Sequence, residues 1–172
     1  MISSPLQGPN YDKYAVTRLN VNEVQIVNTY IPPYHAPNIE HQLYLPPYAA
    51  LRNWAQNRFK AVGNIGLAKV QILDASIVKH DLPVNDGFQG YFTDQVNAEY
   101  KMHLHVLLNV ISPNFENQPF ADVEVSRMIQ TTQTTSLAER DAELNQMVLQ
   151  GLDQVDQLMT KSINEKIGNV VQ

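Results

Sequence analysis

Hydrophobic and polar positions alternate with a period of two along four stretches of the chain and with a period near 3.6 along two others. Residues 16–28 are β-rich, with Leu19 and Val21 on one phase and Val24 and Ile26 on the other, so a bulge is expected near Asn22 and Glu23. Residues 47–62 take the helical period: Leu51, Trp54, Ala55, Phe59 and Val62 share one face, and Arg52, Asn53, Gln56 and Lys60 form the wet one. Pro47 suits the first turn of that helix and Gly63 its C′ position. A second strand covers 67–79, where Ala68, Val70 and Ile72 give way to Leu73, Ala75 and Ile77, the mark of another bulge or of burial on both faces. The clearest strand is 99–112, with Tyr100, Met102, Leu104, Val106, Leu108 and Val110 facing one way and Lys101, His103, His105 and Asn109 the other. A fourth follows at 121–130, and the short polar turn at 112–119 predicts a hairpin between the last two strands.

The second helical stretch, 136–167, opens on Ser136 and Glu139, an S-x-x-E capping box in which each side chain satisfies a helix N–H group that has no partner within the helix. Leu144, Val148, Leu152, Val155, Leu158, Met159, Ile163 and Ile167 form its apolar stripe, with Glu139, Asp141 and Glu143 early and Lys161 and Lys166 late, as the helix dipole favours. At ~1.5 Å per residue this helix spans about 48 Å, and a strand of about 14 residues at ~3.3 Å spans about 46 Å, so the two can lie along each other from end to end. The order β-α-β-β-β-α predicts an α+β fold: a mainly antiparallel four-stranded sheet with two helices packed on one face. Residues 1–13, rich in Pro, Gly, Ser and Asn, are expected to be a disordered arm or tether, and 14–172 a single α+β domain.

Composition narrows the function more than it names it. The net charge of −5 opposes any role that rests on neutralising phosphates. A helix, three strands and a helix is also the order of double-stranded RNA-binding domains, but Glu139, Asp141 and Glu143 stand where that fold needs cations. Nucleic acid is therefore excluded as a partner. The absence of cysteine removes disulfides, thiolate chemistry and Cys-based zinc sites, and no apolar run reaches the roughly 18 residues of a membrane-spanning helix.

Three groups of residues carry candidate chemistry. His103 and His105, two apart on a strand, project from one face, the spacing by which a strand offers two imidazoles to a metal; a metal-binding protein or metal-dependent hydrolase using them is the alternative reading, set against ordinary sheet-face histidines. His35 and His41 with Glu40 admit a loop ligand set or an acid/base pair, against polar residues of a Pro-structured loop. Asp74 and Arg127 interrupt apolar runs and are expected to pair across the sheet or cap its edge. No nucleophile elbow, phosphate loop or dinucleotide fingerprint occurs, so no enzyme activity and no cofactor are expected. The strongest binding candidate is the connection at 29–47, where five prolines are interleaved with tyrosines: fixed-φ Pro and rigid Tyr give contact area at low ordering cost. Its expected contact residues are Tyr30, Pro32, Pro33, Tyr34, His35, His41 and Tyr44; the competing role for the same residues is to cover the open edge or end of the sheet. Gln146, Gln150, Gln154 and Gln157 along the terminal helix form a second polar surface or a plain solvated face.

This order of elements, with a terminal helix introduced by SRMIQTTQTTSLAERDAELNQMVLQGLDQV, resembles small lipoproteins of the bacterial envelope: the outer-membrane lipopolysaccharide-assembly lipoprotein and the auxiliary lipoproteins of ABC-type transport. The segments NVNEVQIVNTYIPP, APNIEHQLYLPP and AKVQILDASIVKHDL also resemble uncharacterised alphaproteobacterial envelope proteins. The resemblance covers most of 16–168. It implies a non-catalytic periplasmic accessory protein, with or without an outer-membrane anchor, that binds a larger membrane-associated protein in envelope assembly or transport. Membrane association is then expected only through an N-terminal lipid anchor, although the chain shows no lipobox cysteine, and no binding residue carries over from the family.

Overall fold

The computed structural model describes residues 6–172, apart from the side chains of Gln89 and Tyr91. Its elements run β1 (Thr17–Leu19), β2 (Glu23–Asn28), α1 (Pro47–Arg58), β3 (Phe59–Ala61), β4 (Leu67–Asp81), β5 (Val96–Ile111), β6 (Phe120–Thr132) and α2 (Leu137–Lys166). The expected α+β architecture is present, with one correction to the sheet. Its strand order is β2-β4-β5-β6; β4, β5 and β6 are antiparallel, but β2 lies parallel to β4. The reason is α1, which sits between β2 and β4 in the chain: a strand that returns through a crossover helix re-enters parallel to the first.

The first expected strand divides at its predicted irregularity. Residues 20–22 separate β1 from β2, and Val21 is fully buried at the break. The first helix ends four residues earlier than its apolar spacing predicts, because Phe59 turns extended and begins β3, which pairs in parallel with β1. Gly63 therefore caps no helix. It is needed because its backbone passes against Asn20 and Val21, where a Cβ would lie 2.7 Å from the Asn20 carbonyl carbon. The C-terminal residues complete this small sheet, with Val171 bridging Leu19 and the Asn20 N–H donating to the Val170 carbonyl.

The predicted bulge in β4 is a register shift between Ile72 and Asp74. It turns the apolar phase so that Ala68, Val70 and Ile72 before it and Ala75 and Ile77 after it all face inward and are fully buried. α2 is one unbroken helix, and both bonds of its capping box form: Ser136 Oγ accepts from the Glu139 N–H at 3.1 Å, and Glu139 Oε2 from the Ser136 N–H at 2.7 Å. Its buried stripe is Leu144, Met147, Val148, Gly151, Leu152, Val155, Met159 and Ile163; Leu158, assigned to that stripe from spacing, lies off it and is 37% exposed. At Gly151 the helix comes so close to the sheet that a Cβ would stand 2.4 Å from the Met102 methyl.

Both helices cover the same face of the sheet. On the opposite face, which includes Asp74, Ser76 and Val78 of β4, His103, His105 and Leu107 of β5, and Glu124, Ser126 and Met128 of β6, no strand residue is buried. Of the expected N-terminal arm, residues 1–5 lie outside the described residues. The rest runs along α2: the Gln7 carbonyl accepts from Asn145 Nδ2 at 3.0 Å, and residues Tyr11–Lys13 make one 3-10 turn.

Candidate binding surface

β2 ends at Asn28, while β4 continues to Asp81, so half of β4 would present an unpaired edge. The Pro/Tyr connection fills that gap. Asn38 bridges Val78; the Ile39 N–H donates to the Ile77 carbonyl at 2.9 Å, and the Lys79 N–H to the Pro37 carbonyl at 2.9 Å. Glu40 fastens the segment from within. It is 1% exposed, and its carboxylate accepts from the Ile77 N–H at 3.2 Å, from Asn38 Nδ2 at 3.2 Å and from the Tyr30 hydroxyl. Burial, together with the Glu40 carboxylate beside it, pushes the Tyr30 phenol above its ordinary pKa and keeps it a donor.

The seven expected contact residues thus divide between two tasks. Tyr30 and Pro32 point into the structure, Pro32 buried and Tyr30 tied to Glu40, so they hold the loop. Pro33, Tyr34, His35 and Tyr44 face outward, and His41 is half-buried with its ring 5.6 Å from that of Tyr34. Tyr34 and Tyr44 are 65% and 63% exposed, and Ile31, which sequence reasoning passed over, is 79% exposed beside them. Tyr34 holds a φ of +61°, a left-handed conformation that costs a residue with a Cβ about 1–3 kcal/mol and persists where the surroundings enforce it. The loop therefore both covers the sheet edge and displays two tyrosines. No His–Glu pair forms within it: His35 Nδ1 lies 2.8 Å from the Ala36 carbonyl, and Glu40 is spent on Tyr30, Asn38 and Ile77.

His103 and His105 do come together, with ring centroids 6.3 Å apart, but their nitrogens are directed at carboxylates. His103 Nδ1 is 2.8 Å from Asp74 Oδ2 and its Nε2 3.4 Å from Glu124 Oε2; His105 Nε2 is 2.6 Å from Asp122 Oδ1. Among the described residues no three His, Asp or Glu side chains converge as metal ligands do. Asp74 and Arg127 do not pair, since they leave opposite faces of the sheet. Asp74 takes His103, and Arg127 reaches α2, donating to Gln150 Oε1 at 2.6 Å and Gln154 Oε1 at 3.3 Å.

Carboxylates only accept, so the form of His103 with both nitrogens protonated is favoured: the Asp74 bond raises its pKa, burial opposes, and Glu124 adds to the rise. A pKa raised above the unfolded value of about 6.5 gives stability that is complete below that pH and lost as pH climbs through the folded value. The urea midpoint is expected to fall between about pH 6 and pH 8, with a shallower slope in His103→Gln. A variant that keeps the wild-type slope would remove His103 as the cause.

Among solved structures the chain is similar to rare lipoprotein B of Shewanella oneidensis, with 19% identity, 84% of this chain and 98% of that one covered, and a TM-score of 0.38. It is also similar to a minor lipoprotein of Acinetobacter baumannii, with 13% identity, 86% and 96% covered, and a TM-score of 0.39. No family model and no curated protein matches it.

Proposed function

We propose that this chain is a non-catalytic accessory protein of the bacterial cell envelope that binds a larger, membrane-associated protein through the Pro/Tyr loop. The envelope setting, in the periplasm or anchored at the outer membrane, comes from the sequence resemblance. One observation carries the binding role: Tyr34 and Tyr44 stand more than half exposed on a segment fixed to the sheet by a fully buried carboxylate. A surface set in advance gives up little conformational entropy on binding, and tyrosine offers broad contact with only two torsions to fix.

The test is quantitative affinity capture from envelope membranes. A Tyr34→Ala/Tyr44→Ala double variant is expected to retain the wild-type fold, since both side chains are exposed, and to lose at least about tenfold in apparent affinity for the captured membrane protein. Undiminished capture would take the loop out of the interface.

A further inference from the structure

β6 ends the sheet, and its outer side is open. In the β5–β6 ladder the Val110 N–H donates to the Pro119 carbonyl at 2.9 Å, and bonded and unbonded pairs alternate along an antiparallel ladder. The odd residues of β6 therefore turn their backbone groups toward β5, while Asp122, Glu124, Ser126, Met128 and Gln130 turn theirs outward. Among the described residues no other segment takes these N–H and C=O groups. Proteins close off such an edge with proline, lysine, a bulge or a covering loop. Phe120–Thr132 contains no proline or lysine, and the register shift in this ladder places its extra residue on β5. The Pro/Tyr loop does this work for β4, and β6 has no counterpart.

We propose that this edge pairs with β6 of a second copy, antiparallel about a two-fold axis at Ser126, so that one sheet runs through both copies. A row of alternating donors and acceptors is matched by another strand, and a two-fold gives a closed dimer. The charges select the register. An axis at Glu124 sets that carboxylate against itself, one at Val123 sets Asp122 against Glu124, and one at Arg127 opposes two guanidinium groups. With Ser126 opposite Ser126, Glu124 faces Met128 and Asp122 faces Gln130 of the other copy.

The terminal helix fits the same axis. Gly151 stands over Met102 and Leu104, whose β6 partners are Arg127 and Val125, so α2 passes the level of Ser126 at about residue 151 and is set back over β5 there. Arg127 fills the space outboard of it, reaching Gln150 and Gln154. Glu143 lies seven residues before Gln150 and Lys161 seven after Gln154, two turns away along the same side of the helix. Both are exposed, and neither has an ionic partner among the described residues. The two-fold reverses one helix against the other and sets Glu143 of each copy toward Lys161 of its mate. Moving the axis one residue to Val125 would slide the helices past each other by about a turn and bring Glu143 toward Glu165 instead. The dimer leaves Tyr34 and Tyr44 out of its contacts.

Sedimentation equilibrium of the full chain tests this. Wild type is expected to form dimers with increasing concentration, and hydrogen exchange at the Glu124 and Met128 amides to slow as they form. Ser126→Pro removes an outward N–H and none that β5 uses, so it should keep the wild-type circular dichroism spectrum while weakening the dimer at least about thirtyfold. Glu143→Lys and Lys161→Glu should each weaken it about fivefold, and the two changes in one chain should restore it, because the ion pair re-forms with its signs exchanged. A wild type that stays monomeric, a dimer indifferent to Ser126→Pro, or a charge exchange no better than its single changes would overturn the proposal. So would a monomer whose Glu124 and Met128 amides are protected by the captured membrane protein instead of by a second copy. A monomer that still captures a membrane protein through Tyr34 and Tyr44 removes this inference and leaves the proposed function standing.

Discussion

Arg58→Ala is expected to lower the free energy of unfolding by about 3–5 kcal/mol, as removal of one partner of a buried ion pair does. The guanidinium is 3% exposed and sits where three elements meet. Its Nε donates to Asp156 Oδ1 at 2.8 Å, its Nη2 to Thr160 Oγ1 at 2.9 Å, and its Nη1 to the Thr17 hydroxyl, so α1, α2 and β1 are held by one planar group. Trp54, fully buried, donates its Nε1–H to the same Asp156 oxygen at 2.9 Å. Removing the arginine strands a largely desolvated carboxylate and leaves two hydroxyls without their donor, which is why truncation costs more than the pair itself contributes. Arg58→Lys keeps the charge but not the fork and should fall between wild type and alanine. Urea unfolding of Arg58→Ala, Asp156→Asn and the double variant checks this: the double should destabilise by less than the sum of the singles, and strict additivity would refute the coupling.

Glu40→Ala is the second large effect, expected at about 2–4 kcal/mol because three donors lose one buried acceptor group. It differs from Arg58→Ala in where the damage appears. The Ile77 amide lies on the β4 edge that the loop covers, so its hydrogen exchange should accelerate with little change on β5. Capture of the membrane protein should weaken too, although Tyr34 and Tyr44 are intact, since the loop would have to be ordered anew at each encounter. Full affinity with a destabilised loop would separate the tyrosines from the carboxylate that fixes them.

Most of the architecture was legible because it rests on repeated signals. The alternation in β5 and β6, the change of phase in β4 and the Ser136/Glu139 box each appear in the structure in the form that their residues predict. What escaped depends on single side chains or on distant pairings. The parallel alignment of β2 with β4 is set by a crossover, and the alternation of a strand does not carry its direction. Arg58 lies four residues after Trp54 and seven after Leu51, on the buried face of α1, and that spacing was the available signal for it. Glu40 gave none, because a proline-rich loop has no period to mark a residue as interior. The loop's two competing roles could not be separated from sequence for the same reason: which tyrosine faces inward is decided by Glu40 and by the half of β4 that β2 leaves unpaired.

Gly151 sets a condition on the longest helix. A glycine in a helix interior forfeits about 1 kcal/mol relative to alanine, yet here it stands midway along α2, where the rod comes closest to Met102. The continuity of α2 through residue 151 is thus supported by the strands beneath. As a free peptide, 137–166 would behave as two short helical segments joined at residue 151, and any event that lifted the rod from its bed would bend it there first.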